Sequence, residues 1–435
     1  MWPYYPELLM TPVPRYTSFP TAAEFGPEVG EADFAAALGT VSGDVSLYVH
    51  IPFCREICWY CGCNTGRTNR QSRLASYIDA LHHEIAMVGA RLPAGAKVRR
   101  IAFGGGSPNA IAPTDFVRLM LSLTQAFQVT DPVISIELDP RTLDEQWGEA
   151  LAGVGVQRAS LGVQTLSPDV QKAIGRVQSA SLIDSCTAIL RTAGVSSINF
   201  DLMYGLPGQS IDDLEDALDY AAAHSADRIA VFGYAHVPHM ISRQKQIDAS
   251  ILPKPEARFR MAERAYESLV STGYVPVGFD HFALPGDPLA QAALSGRVHR
   301  NFQGFTDDTA PVVIGLGASA ISSFPQVLVQ NEKNAGAYRA ILSQNRMTAV
   351  RGIRRSENDR RRGAIIESLL CNGKAVPGPD MLRLAVDRLQ PFLSRGLASF
   401  EDDALTIPVQ GLPYARAIAA LFDPHRAVAD VFAGR

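Results

Sequence analysis

Four of the six cysteines fall within ten residues, at Cys54, Cys58, Cys61 and Cys63, in the run His50-Ile-Pro-Phe-Cys-Arg-Glu-Ile-Cys-Trp-Tyr-Cys-Gly-Cys63. Thiolates are metal ligands and redox groups, and so tight a cluster points to one of those chemistries. The spacing C-x3-C-x2-C crowds three thiolates onto one short loop. A structural zinc site closes a tetrahedron with four ligands and commonly pairs two short knuckles, and here the second knuckle is missing. A four-iron cluster has four corners, so three thiolates leave one iron free to bind something else. On spacing alone, zinc or a plain structural cluster stays the alternative. Cys186 and Cys371 stand alone in apolar surroundings and read as core residues.

The loop must be held by its neighbours. Apolar runs at Val45–Ile51, Val98–Phe103, Val133–Leu138, Gln157–Val163, Ser197–Met203 and Arg228–Tyr234 read as strands, with helically spaced residues such as Leu74, Tyr77, Ile78, Leu81 and Ile85 between them. Near-continuous apolar strands alternating with helices predict a parallel α/β sheet. A partial barrel, a complete barrel and a doubly wound sheet share that pattern. Polar and glycine features mark the strand ends: the cysteine loop, GGGSPN (104–109), Glu137-Leu-Asp-Pro, Gln164, Asp201 and Tyr204-Gly-Leu-Pro. The carboxyl ends of parallel strands form the functional face in all three architectures. Read singly, Glu137 is equally a helix-capping carboxylate. Arg176, likewise, is a surface helix residue.

With 435 residues, 47% hydrophobic and 19% charged, the chain can bury a large core in two or three domains. A net charge of −4 gives no global basic field for nucleic acid. Only six of the 40 basic residues are lysine, and the arginine excess is compatible with an acidic ligand. The first twenty residues hold five prolines and no apolar run, so no targeting signal is expected. The uncharged stretch Thr309–Asn331 is broken by prolines and glycines and reads as buried strand and turn, not a membrane span. After about residue 240 come a helix over 256–273, a strand at Tyr274–Phe279 and a polar, aromatic loop at His299–Phe305. A helical stretch around Arg351–Arg362 then opens a terminal domain, with Arg360-Arg361-Arg362 as a solvated helix face.

C-x3-C-x-aromatic-C after the first strand, followed one strand later by Gly104-Gly105-Gly106, resembles the radical S-adenosylmethionine enzymes. PRYTSFPT (14–21), LYVHIPFC (47–54), CGCN (61–64), ISIELDPR (134–141), GVQ (162–164), FDLMYGLP (200–207), FGYAHVP (232–238), DHFA (280–283), HRNFQGF (299–305) and GASAIS (317–322) narrow the resemblance. They are similar, in order, to segments of the oxygen-independent coproporphyrinogen III oxidase family. Departures are mild: the usual GGGTPT is GGGSPN, Tyr60 replaces phenylalanine before the third cysteine, and SYPT has become SFPT.

The resemblance implies an α/β fold, an incomplete (β/α)6 TIM-like barrel. Expected are an N-terminal arm (1–40), the partial barrel (41–245), an extension with substrate-covering segments (246–345) and a small, mostly helical C-terminal domain (346–435). Cys54, Cys58 and Cys61 would ligate a [4Fe-4S] cluster whose unique iron binds S-adenosylmethionine. Two molecules of that nucleotide are expected, the first at Tyr48, Gly105, Glu137 and Ile321. The second lies at Tyr60, Gly106, Ser107, Gln164, Arg176, Asp201 and Ala235. Cys63 would be a non-ligating, reactive cysteine, and Tyr16, Phe302 and Gln303 would close over the substrate. The implied reaction decarboxylates two propionates of coproporphyrinogen III to vinyls, giving protoporphyrinogen IX in haem biosynthesis. A low-potential donor such as flavodoxin or ferredoxin, a monomeric cytoplasmic protein, and no nucleic-acid or membrane partner complete the expectation. A related radical enzyme acting on or binding haem is the alternative.

Overall fold

The computed structural model describes residues 1–68 and 71–426. Six strands run parallel: β1 (Gly43–Ile51), β2 (Ala96–Gly105), β3 (Val129–Leu138), β4 (Arg158–Gln164), β5 (Ser197–Tyr204) and β6 (Arg228–Gly233). A helix follows each: α1 (Gln71–Gly89), α2 (Pro113–Ala126), α3 (Glu145–Val154), α4 (Ala180–Thr192), α5 (Ile211–Ala223) and α6 (Pro255–Ser271). Helix boundaries follow local chemistry. Asp144 accepts from the Trp147 N–H at 3.0 Å to start α3, and Gly155, at φ +76°, ends it.

Further strands extend both edges. β7 (Val275–Val277) and β8 (His281–Ala283) lie antiparallel beyond β6. On the other side, β9 (Val312–Leu316) runs parallel to β1, followed by antiparallel β10 (Ile321–Ser323), β11 (Val327–Asn331) and β12 (Ala349–Arg354). The order is β12-β11-β10-β9-β1-β2-β3-β4-β5-β6-β8-β7. β1 to β6 are neighbours in chain order, whereas a doubly wound sheet reverses at a switch point, so that alternative falls. The two outer strands do not pair, which makes the sheet an incomplete (β/α)6 barrel. Its core joins strand residues such as Leu47, Ile101 and Leu161 to Leu81, Leu119 and Leu190 from the helices. Phe34 and Leu38, on the short helix Glu31–Gly39, complete it. Among the described residues no helix is long and apolar enough to cross a membrane.

The C-terminal part packs α7 (Glu357–Asn372) and α8 (Pro379–Leu393) against a three-stranded sheet of residues 374–375, 399–401 and 404–406. Its core contains Leu369, Leu389 and Ile418, and Trp2, Tyr16 and Phe19 of the N-terminal arm enter it.

Three expectations change. Residues 351–354 are strand, not helix: β12 pairs with β11 and the main sheet runs on to Arg354. The helix starts only at the Ser356–Asp359 capping box. Arg362 is buried, donating to the Phe422 carbonyl at 2.7 Å, so the arginine run is not wholly solvated. His299–Phe305 lies in a hairpin, with 299–301 pairing 304–306.

Candidate active site

The cysteine loop leaves β1 and is folded back by a two-residue ladder between Phe53–Cys54 and Gly66–Arg67. The glycine run ending β2 docks against it. The Gly106 N–H donates to the Ile51 carbonyl at 2.9 Å and the Ser107 N–H to that of Phe53 at 2.7 Å. A Cβ on Gly106 would lie 2.5 Å from both the Phe53 carbonyl oxygen and Thr65 Oγ1, and Gly105 holds φ +114° against the His50 ring. Only glycine permits this approach. Asn109 ties the next strand in: its Nδ2 donates to the Asp139 carbonyl at 2.9 Å, while Oδ1 accepts from the Asp139 N–H at 3.0 Å and Ser107 Oγ at 2.6 Å.

Thirteen expected residues line one cavity of about 500 Å3 at the carboxyl ends of the strands: Cys54, Cys58, Tyr60, Cys61, Cys63, Gly105, Gly106, Ser107, Glu137, Gln164, Arg176, Asp201 and Ala235. Gln164 sits at φ +66°, an uncommon conformation for a side-chain-bearing residue and one that collects at functional sites. Glu137 caps no helix. It accepts from the Gly105 N–H at 3.2 Å, and burial, helped by the charge of Asp201, pushes its carboxyl up to about 7. Asp201 accepts from Ser160 Oγ at 2.7 Å and Asn199 Nδ2 at 2.8 Å, and burial raises it too.

Arg176 is buried, not on a surface helix. It donates to the Gly162 carbonyl at 2.7 Å, to Asp139 at 3.3 Å and to Cys58 Sγ at 3.4 Å, and its Nε has no partner among the described residues. Arg141 also bonds Asp139, at 2.7 Å, and points to Cys58 Sγ at 3.5 Å. Burial opposes the charged form of Asp139, but these two guanidiniums outweigh it and hold its carboxyl below the usual range. Cys61 and Cys63 compete for a proton: hydrogen bonding from Cys63 pulls the Cys61 thiol down and pushes that of Cys63 up. Burial lifts Cys54 to about 11. Asp139, Arg141 and Asn109 escaped the sequence reading of the site. Their signal lay in the already noted ELDPR and GGGSPN segments.

Five expected residues lie outside this wall. Tyr48 pairs in register with Gly315, over which the Ile321 backbone lies at 2.6 Å from a notional Cβ, so these two sit together behind the cavity. The Tyr48 hydroxyl bonds His50 Nδ1 at 3.1 Å. Tyr16 and Phe302 line a separate cavity of about 470 Å3, and Gln303 is exposed at the hairpin turn. The Tyr16 hydroxyl donates to Asp423 at 3.0 Å, which pins the N-terminal residues to the C-terminal part of the chain.

The residues present fit an iron–sulfur cluster and a nucleotide. Two guanidiniums face the Cys58 sulfur, the glycine cradle admits a ligand backbone to backbone, and Arg176 keeps a buried N–H in reserve. Residues 48–221 match the Radical SAM superfamily model. Fold and site thus define a radical S-adenosylmethionine enzyme. The chain is 40% identical to the oxygen-independent coproporphyrinogen III oxidase of Bradyrhizobium diazoefficiens, over 95% of this chain and 94% of that one. It is 35% identical to the Escherichia coli protein of the same name, over 95% and 93%. The solved coproporphyrinogen III oxidase of Escherichia coli, a radical SAM enzyme, superposes with a TM-score of 0.91 at 34% identity, covering 98% of this chain and 100% of that chain. The chain belongs to the oxygen-independent coproporphyrinogen III oxidase family.

Proposed function

We propose that the protein oxidatively decarboxylates two propionates of coproporphyrinogen III to vinyl groups, yielding protoporphyrinogen IX for haem synthesis. One observation carries the reading from the geometry. The strand-end cavity adjoins a second cavity of about 620 Å3, and Arg15, Gly233, Tyr234 and Ala235 line both. A nucleotide in the first would meet a larger ligand in the second.

Cys54, Cys58 and Cys61 would hold the [4Fe-4S] cluster. Tyr48, Gly105, Glu137 and Ile321 would hold one S-adenosylmethionine. Tyr60, Gly106, Ser107, Gln164, Arg176, Asp201 and Ala235 would hold a second. When bound and reduced by a low-potential donor such as flavodoxin or ferredoxin, these groups would supply radical chemistry able to take hydrogen from a propionate β-carbon. The chain's own part is positional. Gly105 and Gly106 let a ligand approach the backbone, the carboxylates of Glu137 and Asp201 suit an ammonium and ribose hydroxyls, and Arg176 suits a carboxylate. Holding reactants at the strand ends fixes their geometry and keeps water and oxygen away. Cys63, at the cavity wall, would serve as the family's non-ligating cysteine. The arm and the segments carrying Tyr16, Phe302 and Gln303 would cover the substrate in a monomeric, cytoplasmic protein.

The test is an anaerobic assay of reconstituted protein with reductant, S-adenosylmethionine and coproporphyrinogen III. Protoporphyrin fluorescence after product oxidation and 5′-deoxyadenosine together are the expected result. Deoxyadenosine without protoporphyrin would move the substrate toward haem, and neither product would overturn the assignment.

A further inference from the structure

The second cavity holds charge that the fold leaves unneutralised. Arg15, Arg258 and Arg416 line it, and none has a carboxylate partner among the described residues. All three line this cavity together with Tyr204. The lone carboxylate in the lining, Asp280, bonds His281 Nδ1 at 2.7 Å, and its charge faces Arg15 and Arg300 without an ion pair to either. At the amino ends of the strands arginines are paired: Arg100 and Arg158 share Asp307, and Arg228 holds Asp287.

These arginines are also held in place. Arg258 donates to the Tyr234 carbonyl and passes over Gly205, where a Cβ would meet its Nε at 2.7 Å; that Nε is buried without a partner. Arg416 lies over the Phe279 ring at 5.6 Å and Arg15 over Phe232 at 5.3 Å. The remaining walls include Trp2 and Phe259. A cavity of about 620 Å3 falls within the size range of small-molecule sites, about 300–1,000 Å3. Aromatic walls with three guanidiniums that have no carboxylate pair among the described residues suit a broad apolar ligand bearing several carboxylates.

We propose that Arg258 and Arg416, with Arg15 at the junction of the two cavities, anchor the carboxylates of the propionates that are not reacting. The proposal rests on the oxidase reading and adds its specificity determinants. A substrate whose side chains react one after another needs anchors for the idle ones, and guanidiniums bind any carboxylate presented to them.

The experiment titrates holoenzyme with coproporphyrin III and with its tetramethyl ester, followed by porphyrin fluorescence, in wild type, Arg416→Gln, Arg416→Lys and Arg258→Gln. Arg416 makes no hydrogen bond or ion pair among the described residues and only stacks on Phe279, so its variants remove no hydrogen bond of the fold. Each Gln variant is expected to weaken acid binding about tenfold and ester binding not at all, the loss of one charged hydrogen bond of about 1.5 kcal/mol. KM for coproporphyrinogen III should rise in parallel, with kcat changed less. Arg416→Lys should recover part of the loss. The exposed Arg361→Gln, outside the cavity, should leave both affinities unchanged. Equal loss of acid and ester, or no loss, overturns the anchor. A wild type that discriminates acid from ester without turnover refutes the oxidase reading alone, and turnover with unaffected Gln variants refutes the anchor alone.

Discussion

Asn109, the residue where GGGTPT is expected to carry threonine, gives the most quantitative test of how the site is built. Its fully buried amide joins the end of β2 to the end of β3 through three hydrogen bonds, two of them to the backbone of Asp139. Asp139 in turn orients Arg176 and Arg141 toward Cys58. In Asn109→Ala the Asp139 carbonyl keeps the Thr142 N–H at 3.1 Å, but the Asp139 N–H is orphaned. Two net hydrogen bonds at about 1 kcal/mol each and one buried orphan at roughly 1–3 kcal/mol sum to about 3–5 kcal/mol.

At an m-value of about 3 kcal/mol/M, the urea midpoint should fall by about 1 M or somewhat more, with m unchanged. Asn109→Thr retains one hydroxyl and should lose about half as much. Because Asp139 would no longer fix the two guanidiniums, S-adenosylmethionine affinity of the reconstituted Ala variant, measured by equilibrium dialysis, should fall about tenfold, or about 1.4 kcal/mol. An Ala variant with the wild-type midpoint and wild-type affinity would refute the view that this amide, rather than the strands, sets the distance between the two loops.

Two further outcomes follow from the same loop. Burial holds His50 down at about 4, against about 6.5 for a free histidine, so the unfolded chain binds the extra proton between those values. Stability therefore falls as pH drops through that window, by about 2 kcal/mol between pH 7 and 5, and His50→Gln should flatten the slope in urea denaturation of the apoprotein. Gly106→Ala should cut iron incorporation by more than about half with far-UV circular dichroism unchanged, because the cysteine loop must yield to the new Cβ. Gly95→Ala, which meets nothing within 4 Å, should incorporate iron normally.

What the sequence made legible follows from what is periodic or local. The six strands were readable because a parallel sheet is buried on both faces and its strands become apolar runs. The cysteine loop and the glycine run lie side by side in space, as two successive strand ends must. Strand order was not readable, since periodicity says nothing about which strands are neighbours. Arg351–Arg354 looked helical because arginine is a good helix former. Pairing with β11 overrode that propensity, and Gly352 is needed where a Cβ would meet the Leu328 carbonyl at 2.2 Å. Burial of Arg176 could not be inferred either, because Asp139 and Gly162 come from separate β/α units. Nor does any local pattern announce that Tyr16 bonds Asp423, across nearly the whole chain.

The two ends of the barrel treat charge in opposite ways, and the contrast explains why the functional face lies where it does. At the amino ends of the strands, Asp307 is held by Arg100 at 2.9 Å and by Arg158 at 2.7 Å. Burial opposes its charge, yet the two guanidiniums keep its carboxyl far below the usual range, so it stays ionised at any working pH. Arg228 and Asp287 repeat the arrangement at 2.7 Å. These side chains turn their charges on one another and make a wall. At the carboxyl ends Arg141 and Arg176 also share a carboxylate, Asp139, but Arg176 retains an unpartnered N–H, and Arg15, Arg258 and Arg416 have no carboxylate pair among the described residues. Leaving buried or half-buried charge without a carboxylate costs stability, and at a cavity wall a ligand can complete the pairing. The same residue type therefore closes one end of the barrel and opens the other, and the difference lies in which arginines the fold supplies with a carboxylate of its own.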